Sequence, residues 1–187
     1  VHPVILRTPR LELSVPTAAD VDAIYAACQA RDIQRYTTVP SPYERRHAEG
    51  YVAQIPKDWA TGENLSWGIH QRARMIGTIG LYRIADGIGE LGYWMAPSFR
   101  GGGRLREAAT AVIDWGFAQE GLDLVRISWR AVAGNVGSAR VARTLGFRYE
   151  GTMRQSLVNG HGRDDGWIAG LLRTDDRTPQ PWPVLED

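Results

Sequence analysis

The feature that most restricts the fold of this chain is the run Arg100-Gly101-Gly102-Gly103, set between two elements of different period. Before it, Glu90 to Met95 reads as a strand that Pro97 ends. After it, Ala108, Ala109, Val112, Ile113, Trp115, Gly116 and Phe117 recur on or near one side of a helix, and Gly121 marks its stop. Three glycines in a row cost backbone entropy, and they are useful where backbone must approach something closely. A strand, a glycine loop and a long helix leave several free N–H groups at a helix N-terminus, whose partial positive charge suits an anion. Glycines admit a phosphate to those amides, and Arg100 and Arg104 can add charge-assisted bonds. The stretch reads as a phosphate cradle; a flexible surface loop is the plainer alternative.

Two nucleotide motifs fit poorly. The Gly-Lys-Ser/Thr of a Walker A loop is absent. The dinucleotide fingerprint finds its first two glycines at Gly101 and Gly103, but its third place is Arg106. No acid closes a second strand about 20 residues on, since Asp123 precedes its strand.

The rest of the chain alternates between the two periods. Leu11 to Val15, Leu65 to His70, Met75 to Tyr82, Leu124 to Val132, Phe147 to Val158 and Trp167 to Leu172 read as further strands. Thr17 caps a helix beginning near Ala18, with Asp20 completing a short-armed capping box. Glu44 to Ala60 reads as a helix that Pro56 breaks or kinks near its end, and Asp32 to Pro42 reads as loop. Asn135 opens a short helix, Ser138 to Leu145, closed by Gly146. The order predicts an α/β (α+β) fold, one domain over residues 1–173. The Pro-rich tail, 174–187, reads as extended or disordered, with Trp182 able to dock it.

Composition excludes several classes. In 187 residues, 22 basic against 21 acidic side chains leave a net charge of +1, so no global field recruits nucleic acid or a membrane surface. No apolar run approaches the ~20 residues that span a bilayer. The single cysteine, Cys28, can form neither an internal disulfide nor a zinc site, and its helical setting predicts a buried, inert thiol in a cytoplasmic protein. His2, His47, His70 and His161 show no ligand spacing, so no metal is expected.

The stretch GYWMAPSFRGGGRLREAATAVIDWGF, with GNVGSARVARTLGFRYEG downstream, resembles the GCN5-related N-acetyltransferases, and more narrowly their RimJ/RimL-type branch. The resemblance begins at TPRLELSVPTAAD and ends near NGHGRDDGWIAGLL. It implies a twisted mixed sheet of about seven strands, splayed centrally, with helices on both faces and acetyl-CoA in the splay. It implies that Arg100, Gly101, Gly102 and Gly103 hold the pyrophosphate, with Arg104 and Leu105 opening the helix beside it. The backbone of Trp94, Met95 and Ala96 would pair with the pantetheine, Asn135 would bond the thioester region, and Ser138 would lie near the sulfur. One departure stands out. The family's last Gly/Ala place is Leu105, whose side chain could crowd the phosphates.

Acyl transfer to an amine needs a base for the amine, donors for the oxyanion and a hydrogen bond for the departing thiolate. Glu90 is the candidate base, directly or through water, since its parity matches Trp94 and Ala96. A surface glutamate beside the Asp86-Gly87 turn is the alternative, and Glu150 is a second carboxylate that reads as a strand-edge acid. Ser138 is the candidate donor to the thiolate, a helix N-cap being its other role. Tyr36 and Trp59 fall where the family shapes its acceptor pocket, although Trp59, Trp67, Trp94 and Trp115 also read as core. Asp164 matches a recurrent acid of the branch, structural or facing the substrate. The expected reaction is acyl transfer from acetyl-CoA to a primary amine, a peptide or protein α-amino group or a small molecule. A CoA-binding module without turnover and a nucleotide-binding protein are the alternatives. Relatives commonly form sheet-edge homodimers.

Overall fold

The computed structural model describes residues 1–185, so residues 186 and 187 of the predicted tail lie outside it. Eight strands form one sheet: β1 (Leu6–Arg7), β2 (Glu12–Ser14), β3 (Leu65–Gln71), β4 (Arg74–Ala85), β5 (Ile88–Met95), β6 (Arg126–Val132), β7 (Arg148–Asn159) and β8 (Gly162–Leu172). Their order is β1-β2-β3-β4-β5-β6-β8-β7. Five helices accompany them: α1 (Val21–Ala27), α2 (Arg31–Tyr36), α3 (Arg45–Thr61), α4 (Arg104–Phe117) and α5 (Val136–Thr144). Among the described residues only β5 and β6 pair in parallel, joined by the α4 crossover.

Four local expectations need correction. The strand beyond the expected seven is β1, two residues long and too short to carry a period. A helix, α2, replaces the expected loop; it buries only Ile33, so no apolar stripe announces it. Pro56 does not break α3, which runs on to Thr61 and stops at Gly62, φ 79°. Strand β8 begins at Gly162, five residues before Trp167. The capping box between Thr17 and Asp20 is present, and it caps a single 3-10 turn that leads into α1.

Two apolar clusters hold the layers. The larger joins β3 to β6 with α4 and α5, and takes in Ile55 and Trp59 from α3. The smaller joins α1, α2 and the start of α3 to Met75, with Trp94 packed against it. Trp59, Trp67 and Trp115 meet as a tilted trio, Trp59 and Trp67 edge-on with centroids 4.9 Å apart. The indole of Trp59 donates to the Ser66 carbonyl at 3.2 Å and that of Trp67 to Val4 at 2.9 Å, so burying these rings orphans neither donor. The tail docks through Trp182, which is fully buried, tilts against Trp129 and Tyr149, and donates to the Phe147 carbonyl at 3.2 Å.

The sheet opens at its centre. Strands β5 and β6 pair from Ile88↔Arg126 to Leu91↔Trp129 and no further. Beyond that point β5 stays with β4 as far as Met95↔Gly77, while β6 stays with β8 as far as Val132↔Gly166. Each strand keeps its outer partner and loses its inner one, which makes a fork.

Candidate active site

The fork exposes one flank of β5. Ala96 donates its N–H to the Ile76 carbonyl opposite it. Antiparallel pairing alternates, so the amides of Trp94 and Gly92 also face β4, and those of Tyr93 and Met95 face the gap. Of the three residues expected to pair with an extended ligand, Met95 turns its amide to the gap, as Tyr93 does, while Trp94 and Ala96 turn theirs to β4. The Trp94 ring packs against the helical cluster of α1 to α3.

Past the fork lies the glycine loop. Gly101, Gly102 and Gly103 all have left-handed φ, 80°, 60° and 73°. Added Cβ atoms at Gly101 would touch nothing, so conformation and not crowding requires glycine there. Gly103 caps α4 with no side-chain bond. Among the described residues, none of the N–H groups from Gly101 to Leu105 donates to a protein acceptor. They form an open set of donors at the start of a 14-residue helix.

The arginines around the loop are committed elsewhere. Arg100 donates through Nε to the Met95 carbonyl at 3.0 Å and pairs with Asp32 of α2. Burial pushes the Asp32 carboxyl up, but the Arg100 bond and charge outweigh it and hold it below its usual value. Arg104 reaches Gln71 at 3.1 Å and lies alongside Gly102. Leu105 is half-buried and packs against the edge of the larger apolar cluster. Arg10, which the sequence reading passed over, donates to the Gly102 carbonyl at 2.8 Å and to Glu107 at 2.5 Å. Thr8 also donates to Glu107, at 2.6 Å. This pins the first turn of α4 to the segment before β2.

A polar cluster occupies the wedge between β5, β6 and α5. Ser138 donates its hydroxyl to the Tyr93 oxygen at 3.1 Å. The Tyr93 hydroxyl donates to the Ser138 carbonyl at 3.2 Å. The indole N–H of Trp129 reaches both hydroxyl oxygens at 3.2 Å. Burial pushes the Tyr93 phenol up to about 12, against the pull of its bonds to Ser138 and Trp129, so it keeps its proton at neutral pH. Asn135 caps α5 by accepting from the Ser138 N–H at 3.3 Å.

The three candidate carboxylates, Glu90, Glu150 and Asp164, are each engaged. Glu90 faces the same side as Trp94, with no bulge between them. Arg83 binds one of its oxygens at 2.6 Å, and Arg130 binds the other at 2.6 and 2.8 Å. Glu150 takes a two-pronged pair from Arg126, at 2.6 and 2.8 Å. Asp164 on β8 receives Arg35 of α2 at 2.7 and 2.8 Å and Asn159 at 2.7 Å, and these bonds hold its carboxyl below the usual range. Tyr36 lies beside Arg35, whose guanidinium sits 5.5 Å from the ring centre. Trp59, the other acceptor candidate, is 1% exposed and sealed in the core. No group of three or more metal-ligating side chains forms among the described residues.

A forked sheet, an unpaired strand flank and an open helix N-terminus set the frame for comparison. Residues 10–148 match the model of the acetyltransferase (GNAT) domain. The chain belongs to the GNAT acetyltransferase family. It is 30% identical over 157 residues to an uncharacterised N-acetyltransferase of Bacillus subtilis, YoaA, covering 82% of this chain and 88% of that one. Its fold matches the Salmonella typhimurium acetyltransferase that modifies the N-terminal serine of ribosomal protein L7/L12, with TM-score 0.80, 21% identity and 90% and 99% of the two chains covered. It also matches Mycobacterium smegmatis RimJ bound to a CoA disulfide, with TM-score 0.80, 20% identity and 92% and 90% covered. The protein is thus an N-acetyltransferase of GNAT type, and no helix among its described residues is long and apolar enough to cross a membrane.

Proposed function

We propose that the protein transfers the acetyl group of acetyl-CoA directly to a primary amine, a peptide or protein α-amino group being the favoured acceptor. The observation that carries this reading is the continuity of two sets of backbone N–H groups that no described protein acceptor takes. The gap-facing flank of Tyr93 and Met95 suits an extended amide-bearing chain, as in strand addition. The amides from Gly101 to Leu105 suit a pyrophosphate at the far end of that chain. An acyl donor that carries both chemistries is a CoA thioester.

The chain's residues divide the work as follows. The gap-facing N–H groups hold the pantetheine and can polarise the thioester carbonyl. The loop amides take the pyrophosphate, and Arg100 joins them on leaving Asp32. Ser138 donates a hydrogen bond to the departing sulfur. The amine attacks the carbonyl carbon, the N–C bond forms, and the C–S bond breaks with its electron pair going to sulfur. The amine's surplus proton leaves through water towards Glu90, whose Oε1 takes one N–H from Arg83 and keeps a lone pair. Arg83 and Arg130 already engage both oxygens of that carboxylate, so Glu90→Gln lowers kcat by less than about tenfold. The peptide preference rests on likeness of fold to enzymes described as acting on ribosomal-protein N-termini. The test is CoA release from acetyl-CoA with short peptides of free and blocked N-terminus, beside amino sugars and polyamines. Turnover that needs the free peptide amine supports the reading; turnover with the small amines alone replaces the acceptor class; tight binding without any turnover replaces the enzyme with a CoA-binding module.

A further inference from the structure

Resting on that reading, we infer that Tyr93 is a positioning residue that frees the Ser138 proton for the leaving thiolate by exchanging one hydrogen-bond pattern for another on fixed heavy atoms. Protons decide the matter. In the pattern the structure shows, the Ser138 proton is spent on the Tyr93 oxygen, and the Tyr93 proton is spent on the Ser138 carbonyl. A serine hydroxyl has one proton and two lone pairs, so Ser138 cannot serve a thiolate while it serves Tyr93. The Tyr93 oxygen lies 3.1 Å from Ser138 Oγ and 3.2 Å from the Ser138 carbonyl. Its proton can therefore turn from the carbonyl to Oγ without any ring movement. When it does, Ser138 Oγ becomes an acceptor and its own proton points into the fork. The Trp129 N–H, 3.2 Å from both oxygens, supports either pattern. No proton changes owner: the sulfur keeps the electron pair of the broken C–S bond and gains a hydrogen bond already polarised by a second one behind it.

The cluster is built for this. Tyr93 projects from β5 two residues beyond the last β6 pair, Trp129 is that pair's β6 member, and Ser138 opens the first turn of α5. The buried phenol stays protonated across the working range, so it remains a donor. A phenylalanine would fill the same space and remove the hydroxyl, and with it both the oxygen that holds the Ser138 proton and the proton that would back and polarise Ser138 Oγ.

The experiment is a double-mutant cycle on the full chain with Tyr93→Phe, Ser138→Ala and both, read by kinetics and by calorimetric titration with CoA and acetyl-CoA. Tyr93→Phe is expected to lower kcat about tenfold with KM for acetyl-CoA within twofold, and to cost less than twofold when Ser138 is already alanine. In binding, wild type should gain affinity for CoA over acetyl-CoA as pH rises from 7 to 9 and the thiol ionises; both single variants should lose that gain. Equal losses in both backgrounds, or a loss confined to KM, would overturn the inference while leaving acetyl transfer intact. A pH-dependent gain that survives in Tyr93→Phe would do the same without any turnover being measured. If wild type binds neither CoA nor acetyl-CoA, the proposed function and this inference fall together.

Discussion

Strand β5 has two unlike flanks. Towards β4 it makes six consecutive antiparallel pairs, from Tyr82↔Glu90 to Gly77↔Met95. Towards β6 it makes four parallel pairs and stops. On the closed flank and in the β3–β4 pairing behind it small residues let neighbours lie close: a Cβ on Gly77 would meet the Trp94 carbonyl at 2.5 Å, and one on Gly80 the Leu65 carbonyl of β3 at 2.6 Å. The two core tryptophans beneath that flank spend their indole protons on backbone carbonyls. On the open flank Trp129 spends its proton on two hydroxyls in the fork. The same residue type packs in one place and serves a polar cluster in the other, and the destination of its N–H tells them apart. The closed flank spends its polar groups on the protein itself, and the open flank is where the proposed chemistry lies.

Substitutions can break that division. Trp67→Ala removes a fully buried ring from the closed flank and should cost about 3–5 kcal/mol in denaturant unfolding; a loss under about 1 kcal/mol would contradict the assignment. Gly80→Ala presses a methyl onto backbone that cannot yield cheaply, so about 1–3 kcal/mol is expected from the same measurement. Ser138→Ala should reverse the pattern. It should lose at most about 1 kcal/mol of stability and yet at least about tenfold in turnover.

Smaller effects sharpen the account at the edges. Asp164, held below its usual value by Arg35 and Asn159, binds its proton less readily folded than unfolded. Its contribution is therefore full above the ordinary carboxylate range near pH 4 and is lost as pH falls through the lower folded value. Asp164→Asn should flatten the acid limb of a stability-versus-pH curve and leave the neutral region's slope alone. At Cys28, burial pushes the thiol up to about 12 against a hydrogen bond from Tyr43, and the side chain is fully buried. Alkylation at pH 8 should leave the native chain unmodified and label one thiol per chain in denaturant.

What the sequence disclosed depended on how local each cause was. The glycine loop was legible because three left-handed residues in a row tolerate little else. The amphipathic helix after it and the Asn135 cap were equally local. The fork was reached only through a resemblance, because it is a fact about which strands stop pairing. The choice of Trp94 and Ala96 over Tyr93 shows the limit in detail. Alternation fixes which face a side chain takes, but which neighbour its amide addresses depends on register with β4, and register is set by the whole sheet. Arg10 meets Glu107 across 97 residues, a contact that no local pattern encodes. Trp59 was read both as core and as an acceptor contact, and only its burial separates the two.

The most direct test is residue-level amide exchange, by NMR, with and without saturating CoA. The account predicts that the Tyr93 and Met95 amides, together with those of Gly101 to Leu105, gain protection when CoA binds, while Gly92 and Trp94, already paired to β4, change little. Protection that appears elsewhere, with Tyr93 and Met95 unmoved, would contradict the claim that the open flank of β5 is where the donor lies.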